Sequence, residues 1–310
     1  MIFVLDDWVV KFSPRLLEEM AALWNHNAIG RHSFQVWSRE ALEGLLIDGK
    51  GWGIGAIRAA RLPSGELAGW IHVSLSAETH RLRTGVVEML LVDRRSRRRG
   101  LGGRLLAEGL SFLAGQNPPP VLVDALGSWP YGYVYNSLAD GSERSGVFLS
   151  EPELLRLFRR AGFSAVRRSL IMRADLAVSR PLRLPPDARI SCSPRRSRTW
   201  LDQVFRGREL WNHNLEFPNG EVLSRAIFSF MKGESQTEGR SIFSLFGVNT
   251  PPDRQRRGYA RANLANLMAG VAARGGDVLE IHVYTDNEPA ITLYRSLGFR
   301  QLGETVMLHH

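Results

Sequence analysis

"LEIHVYTDNEPAITLYRSLGF", at residues 279–299, carries the signals that decide the fold of this 310-residue chain. Its first residues read as a β-strand, and Asn287 followed by Pro289 is typical of the start of a helix. Gly298 stands where a short helix would end, because glycine readily adopts the left-handed conformation found there. The stretch therefore predicts a strand, a helix cap and a short helix.

Two basic turns lie upstream of this stretch, one in each half of the chain. Residues 97–102 read RRRGLG and residues 255–260 read QRRGYA, and each follows a strand-like run and precedes an amphipathic, helix-like segment. A helix N-terminus offers unpaired N–H groups, and a glycine there lets a phosphate approach the backbone. Each turn predicts an anion site; a basic helix start without a ligand is the alternative.

Together these segments resemble the motifs of the GNAT acetyltransferase superfamily. Both turns match its loop pattern of Gln or Arg, two residues, Gly, one residue, then Gly or Ala. The helix after its fifth strand is matched by Asn287, Ala290, Leu293, Tyr294, Gly298 and Phe299. The resemblance implies an α/β (α+β) fold of two tandem GNAT domains, each with a mixed, largely antiparallel central sheet flanked by helices. We place the domains at residues 1–180 and 187–310, divided in the proline-rich segment 179–188.

The resemblance also implies a cofactor, acetyl-CoA or another acyl-CoA, and the residues that bind it. In the C-terminal half these are Phe246, Gly247, Val248, Asn249, Gln255, Arg256, Arg257, Gly258, Tyr259, Ala260 and Asn287. In the N-terminal half they are Arg97, Arg98, Arg99, Gly100, Leu101 and Gly102. Tyr294 is implied as the general acid that protonates the departing thiolate, with a core aromatic as its alternative; a simple helix cap is the alternative for Asn287.

The N-terminal half matches the family less completely. Phe158 stands at the tyrosine position and Glu151 at the asparagine position, so this half lacks a proton donor there. By resemblance Glu88 is a candidate base acting through water, or else a paired structural residue; its counterpart in the other half reads as Ser244. We therefore expect the C-terminal half to hold the working acetyltransferase site.

The string WNHN occurs twice, at residues 24–27 and 211–214. We interpret it as a remnant of gene duplication that ends the first helix of each half, with His26, His213 and Asn214 beside the acceptor site. Histidines satisfied by local hydrogen bonds are the alternative. The shorter spacing from the second copy to its turn predicts that the C-terminal half has lost a β-hairpin. An insertion in the first half carries Tyr131, Tyr133 and Tyr135, for which packing is favoured over a substrate pocket.

Composition narrows the partners. The formal net charge of +9 would suit nucleic acid, but a small polyanionic cofactor would suit it as well. All basic residues except Lys11, Lys50 and Lys232 are arginine, a bias that can reflect GC-rich coding rather than a polyanionic partner. We therefore expect no nucleic-acid partner. The only cysteine, Cys192, cannot form an internal disulfide, and no metal site is predicted. No apolar run is long enough for a membrane span, and the N-terminus lacks a secretory pattern, so a cytoplasmic protein is expected.

The sequence thus predicts an acetyl-CoA-dependent N-acetyltransferase in which a primary amine of a small molecule or peptide attacks the thioester directly. A tandem GNAT module that binds acyl-CoA without turnover is the main alternative. The tandem architecture also resembles mycothiol synthase, and a homodimer is compatible with the sequence.

Overall fold

The computed structural model describes residues 2–9, 12–28, 36–46, 55–75, 83–126, 146–195 and 209–310. These form two compact units. The N-terminal unit contains the described residues up to 168 together with residues 305–310. The C-terminal unit contains the described residues within 169–304.

The N-terminal unit is a sheet with helices on both faces. Its strands are β1 (Val4–Leu5), β2 (Ala56–Arg61), β3 (Leu67–Leu75), β4 (Thr84–Val92), β5 (Leu122–Ala125) and β6 (Val147–Phe148). Its helices are α1 (Pro14–Ala28), α2 (Arg39–Leu46), α3 (Leu101–Ala114) and α4 (Pro152–Arg160). Strands β1 to β5 are neighbours in chain order, and only the β4–β5 pair among them is parallel.

The C-terminal unit repeats this arrangement of sheet and helices. Its strands are β8 (Arg189–Pro194), β9 (Trp211–Glu216), β10 (Val222–Phe230), β11 (Ile242–Asn249) and β12 (Val278–Tyr284), and its helices are α5 (Lys232–Glu238), α6 (Tyr259–Ala272) and α7 (Glu288–Ser296). Strands β8 to β12 again follow chain order, and β11 and β12 are parallel. The predicted mixed, largely antiparallel sheets flanked by helices are confirmed.

The two units exchange their last strands. Strand β7 (Ser164–Asp175) follows α4, yet its residues 169–175 pair with β12 of the C-terminal unit. Strand β13 (Arg300–His309) follows α7, yet its final residues pair with β5 and β6 of the N-terminal unit. The compact units therefore differ from the predicted contiguous ranges 1–180 and 187–310 in these strands, and a domain boundary near residue 180 stays a prediction.

The predicted loss of a hairpin in the C-terminal half is wrong. Strands β9 and β10 form the counterpart of the β2–β3 hairpin, joined by a tight turn in which Gly220 has φ of 87°. The side chain of Asn219 accepts a hydrogen bond from the backbone N–H of Glu221. What shortens this half is the connection before the hairpin, which covers residues 195–210 between β8 and β9 but residues 6–55 between β1 and β2.

The equivalence of the two WNHN strings is also wrong. The first lies in the last turns of α1, as predicted, whereas the second forms the start of β9. The same four residues thus occupy different secondary structures at non-equivalent places in the two units, so they are not evidence of a duplicated helix end.

Apolar residues fill the space between each sheet and its helices. In the N-terminal unit one cluster unites α3 and α4 with the sheet, and another unites α1 and α2 with its opposite face. In the C-terminal unit a cluster joins α6 and α7 to strands β10, β11 and β12. Within the described residues, no helix is both long and apolar enough to cross a membrane.

Candidate functional site

The two predicted anion loops have the same backbone geometry. Each begins with a short 3-10 turn, and then Arg98 and Arg256 adopt φ of 64° and 61°. Gly100 and Gly258 follow with φ of 82° and 79° and lead directly into α3 and α6. A left-handed non-glycine residue followed by a left-handed glycine is an uncommon combination, so its recurrence shows that the loops are structural counterparts.

The space in front of each loop glycine is open. A Cβ atom added at Gly100 or Gly258 would meet no heavy atom within 4 Å. The preceding loop side chains are all exposed, namely those of Arg97, Arg98, Arg99, Gln255, Arg256 and Arg257. Backbone N–H groups at a helix N-terminus, open space and exposed guanidinium groups together fit a pyrophosphate.

In the C-terminal unit the strand before the loop separates from its neighbour. The parallel pairing of β11 with β12 ends at Leu245 and Ile281. Beyond that point an extra residue bulges β11 against β10, and Gly247 has φ of 59°. A Cβ at Gly247 would lie 2.9 Å from Ile227 Cδ1, so any larger residue would need both a left-handed backbone and a shift of Ile227, and glycine is favoured there. The predicted segment Phe246, Gly247, Val248 and Asn249 thus forms one wall of a wedge between two strands.

In the N-terminal unit the strand before the loop has a bulge at the matching place. Pairing of β4 with β5 ends at Val87 and Ala125, and Glu88, which follows Val87, is the extra residue of a bulge against β3. The Glu88 carboxylate is 6% exposed and accepts a hydrogen bond of 2.5 Å from the Ser74 hydroxyl.

This geometry corrects one sequence assignment. Because Phe246 follows the last paired residue of β11 as Glu88 follows the last paired residue of β4, the counterpart of Glu88 is Phe246, not Ser244. The C-terminal wedge therefore has no carboxylate at that position.

A groove of about 900 Å³ opens beside the N-terminal loop. It is lined by the end of β4, by Gly100, Gly102 and Gly103, and by the first turns of α4. Its charged lining residues are Arg97, Arg98, Arg156, Arg160, Glu151 and Glu153. Glu153 forms ion pairs with Arg98 and Arg156, so part of the positive charge that an anion would meet is already neutralised.

The first WNHN string connects α1 to the N-terminal loop. Trp24 stacks on Trp37 with ring centroids 4.0 Å apart, and the Asn25 side chain bonds both the N–H and the C=O of Trp37. Asn27, 1% exposed, accepts a 2.7 Å hydrogen bond from the backbone N–H of Arg94, at the start of the 3-10 turn before the loop. His26 is exposed in the last turn of α1.

The second WNHN string lies in β9, and of its four residues only the histidine is buried. His213 is 6% exposed, and its Nδ1 lies 2.8 Å from Oδ1 of Asn263 on α6. Burial lowers the pKa of His213, although the bond to Asn263 acts the other way. Asn214 points to the other face of β9 and accepts a hydrogen bond from Arg225. His213 is therefore not in the acceptor-side loop that the sequence predicted, but in a strand beneath α6.

The helix after β12 has the predicted form. Asn287 caps α7 by accepting a hydrogen bond from the Ala290 N–H, Pro289 occupies its first turn, and Gly298 has φ of 90°. Tyr294 is 5% exposed and packs on Phe299 with ring centroids 5.6 Å apart. Asn287 is thus a helix cap and Tyr294 a core aromatic, as the alternatives above expected. The roles of both residues toward the cofactor stay predictions.

At the corresponding place of the N-terminal unit, Phe158 is fully buried and packs edge-on against Phe163. Tyr131, Tyr133 and Tyr135 lie outside the described residues. Among the residues that the structure describes, there is no group of three or more His, Cys, Asp or Glu side chains that could hold a metal ion.

Sequence reasoning missed two buried carboxylates that contact basic side chains of the exchanged strands. Asp124 on β5 lies 2.7 Å from His309 of β13, and Glu280 on β12 lies 2.7 Å from Arg173 of β7. The two carboxylates occupy matching positions, one residue before the last paired residue of each parallel strand pair. No local pattern could have found them, because each partner comes from a distant part of the chain.

Comparisons with known proteins agree with this geometry. The model of the FR47-like protein family matches residues 237–308. Mycothiol acetyltransferase from Clavibacter michiganensis subsp. michiganensis is 32% identical over 235 residues, which cover 72% of this chain and 71% of that enzyme. The [ribosomal protein bS18]-alanine N-acetyltransferase of Escherichia coli is 32% identical over 105 residues, covering 33% of this chain and 65% of that enzyme.

A solved structure, the tandem GNAT protein from the clavulanic acid biosynthesis pathway, superposes with a TM-score of 0.71 at 16% identity, covering 99% of this chain and 98% of that chain. The wedge at Gly247, the two left-handed loops and these similarities define an acetyltransferase of the GNAT class. The chain belongs to the GNAT N-acetyltransferase family, and within it the chain is similar to mycothiol acetyltransferase over most of its length.

Proposed function

We propose that the protein transfers the acetyl group of acetyl-CoA to a primary amine, and that the C-terminal unit holds the working site. The observation that carries this proposal is the combination of the open loop at Gly258 with the adjoining wedge at Gly247. A pyrophosphate bound at the N-terminus of α6 would direct the rest of the cofactor along the end of β11, where backbone N–H groups can polarise a thioester carbonyl.

The chemistry requires three events at this wedge. The amine nitrogen attacks the carbonyl carbon, the carbon–sulfur bond breaks, and the departing thiolate receives a proton. Tyr294 is proposed as the donor of that proton, because it is the residue of α7 that matches the family's acid. A phenol with a pKa of about 10 is useful here only if its hydroxyl is held close to the sulfur.

For the acceptor, we propose the amine of a small polar molecule. This rests on the similarity to mycothiol acetyltransferase, which covers 72% of the chain and so reaches into both halves, whereas the similarity to the ribosomal-protein alanine acetyltransferase covers one third of the chain.

A second proposal concerns the N-terminal unit, which we expect to bind acyl-CoA without turning it over. The groove beside Gly100 supports binding, and Phe158 at the position of Tyr294 argues against proton donation. The Arg98–Glu153 ion pair should make this site the weaker of the two for anions.

The test uses matched substitutions in the two loops. Labelled acetyl-CoA is offered with amino sugars, polyamines and peptides that begin with alanine, and product is separated by chromatography, which avoids interference from the exposed thiol of Cys192. Gly258→Asp should abolish turnover because it adds a carboxylate where the pyrophosphate binds, whereas Gly100→Asp should leave turnover largely intact. Gly258→Ala, which adds the backbone strain without the charge, is the control.

Tyr294→Phe separates the acid role from packing, since phenylalanine keeps the ring that contacts Phe299. An acid role predicts a fall in kcat of about 100-fold with little change in acetyl-CoA affinity. Full turnover by Tyr294→Phe would exclude Tyr294 as the general acid. Acetyl-CoA binding that is unchanged in Gly258→Asp would overturn the proposed cofactor site at residues 255–260.

A further inference from the structure

A buried amide lies beneath the C-terminal loop. Asn263, in the second turn of α6, is completely buried. Its Oδ1 receives the His213 Nδ1–H at 2.8 Å, and its Nδ2 donates to the backbone oxygens of His213 and Ser224 at 3.3 and 3.2 Å. Because a buried amide without partners is costly, these contacts fix the position of α6 relative to β9 and β10.

The contacts continue from Asn263 to the end of β11. Nδ2 of Asn263 also lies 3.4 Å from the Ser224 hydroxyl oxygen, which in turn donates to the carbonyl of Asn249 at 3.4 Å. Thr250 donates its own hydroxyl to Ser224 Oγ at 3.2 Å. The Gln255 side chain then donates to the carbonyl of Thr250 at 3.1 Å. A chain of side-chain hydrogen bonds therefore runs from α6 to the first residue of the loop.

The N-terminal unit has apolar residues at the corresponding places. Leu105 follows Gly100 at the interval at which Asn263 follows Gly258, and it is a fully buried core residue. Gly69, which pairs with Val92 at the end of β4, takes the place of Ser224. The polar connection between helix, hairpin and loop thus belongs to the unit in which we place catalysis.

We infer that Asn263 and Ser224 are positioning residues that set the end of β11 and the loop at 255–260 for acetyl-CoA. The inference rests on the proposed function of that loop. Asn249 and Thr250 lie between the wedge and the helix N-terminus, so a shift there would change the alignment of the thioester with the backbone N–H donors and of the pyrophosphate with α6. Small misplacements of this kind weaken binding and turnover without any loss of a direct contact.

The decisive experiment compares two serines of β10. Ser224 and Ser229 are both completely buried, but the Ser229 hydroxyl contacts the carbonyl of Phe230, away from the loop. Ser224→Ala should raise the Kd and KM for acetyl-CoA by about three- to tenfold, the effect of one net hydrogen bond. Ser229→Ala should leave both constants unchanged, although it should lower Tm by about as much as Ser224→Ala does. Equal effects of the two changes on Kd, or none from Ser224→Ala, would overturn the inference.

A double-mutant cycle tests the connection itself. Thr250→Val removes the hydroxyl at the other end of the Ser224 contact with little change in shape, and should weaken acetyl-CoA binding to a similar extent. If the two hydroxyl groups act as one link, the double variant Ser224→Ala/Thr250→Val should bind acetyl-CoA no more weakly than either single variant. Additive losses would contradict the link.

The Gly258→Asp protein distinguishes the inference from the function on which it rests. If, in a Gly100→Asp background that removes the N-terminal site, Gly258→Asp abolishes acetyl-CoA binding and Ser224→Ala has no effect, the loop binds the cofactor but the buried network does not position it. If Gly258→Asp has no effect either, the proposed function of the loop fails first.

Discussion

His72 and His213 are buried histidines whose pKa values burial lowers. His72 on β3 is 3% exposed and packs so closely on Gly55 that a Cβ there would lie 2.9 Å from its Nε2. Burial lowers the pKa of His72 to about 3. The folded protein therefore holds this imidazole neutral at pH values where an unfolded chain would protonate it.

The consequence is a loss of stability in mild acid. Above the ordinary pKa of 6.5, His72 is neutral in both states; between that value and about 3, only the unfolded chain binds the proton. At pH 5 the resulting loss is about 2 kcal/mol. Urea unfolding at pH 7.5 and pH 5 should show that the natural protein loses this much more than His72→Gln.

The comparison is controlled internally, because both proteins keep His213, whose pKa burial also lowers. Identical pH dependence in the natural protein and His72→Gln would contradict a neutral buried His72.

Sequence patterns located some site residues but not their surroundings. The loop residues around Gly100 and Gly258 and the helix cap at Asn287 were predictable, because each depends on local backbone geometry. The burial of His213 was not, because it follows from strand pairing and from contact with Asn263 on a helix fifty residues downstream. An asparagine within the apolar face of α6 was the available signal.

At the scale of elements, the two WNHN strings show how context overrides identity. In α1 the string lies on a helix with three leucine residues and a methionine on its buried side, whereas in β9 it is followed by Pro218, Asn219 and Gly220. An Asn-Gly pair between two apolar runs is a strong hairpin signal, and it outweighs a four-residue match. The hairpin of the C-terminal half was therefore predictable from its turn.

The packing of β3 on β4 leads to a prediction at the same scale. A Cβ at Gly69 would lie 2.6 Å from the carbonyl oxygen of Leu91 and 3.3 Å from Val92 Cα. Because both neighbours are backbone, Gly69→Ala must separate the strands, and we expect a loss of about 1–3 kcal/mol in the free energy of unfolding.

Gly270→Ala on α6 is the matched control. Its added Cβ would meet only the tip of Arg274, at 3.7 Å, so higher helix propensity should leave stability unchanged or raise it by up to about 1 kcal/mol. Urea midpoints measure both changes. If Gly69→Ala is as stable as the natural protein, β4 can shift away from β3 without a loss in the free energy of unfolding.

At the scale of the whole molecule, the strand exchange makes each unit depend on the other half of the chain. Val306 and Leu308 of β13 are buried in the same cluster as Leu105 and Phe158 of the N-terminal unit. The tandem organisation could be predicted from the two loops in order. The exchange could not, because the β13 sequence shows a half-buried strand but not which sheet it completes.

Leu308→Ala tests this dependence. Leu308 is completely buried, so its truncation should cost about 2–5 kcal/mol, and the loss should fall on the N-terminal unit although residue 308 follows the C-terminal one in sequence. Hydrogen exchange should accelerate in β4 and β5 more than in β11. Leu302→Ala, at a site 49% exposed on the same strand, is the control. Acceleration confined to β11 would contradict the exchange.

The exchanged strands also set an order of events during synthesis. The ribosome completes β1 to β6 and α4 long before it reaches β13. One edge of β5 therefore stays unpaired while the strands of the C-terminal unit are synthesised. An open strand edge is a place where nascent chains pair wrongly. Residues 305–310 therefore cover the open edge of the first sheet, and their synthesis ends the period in which that sheet is prone to aggregate.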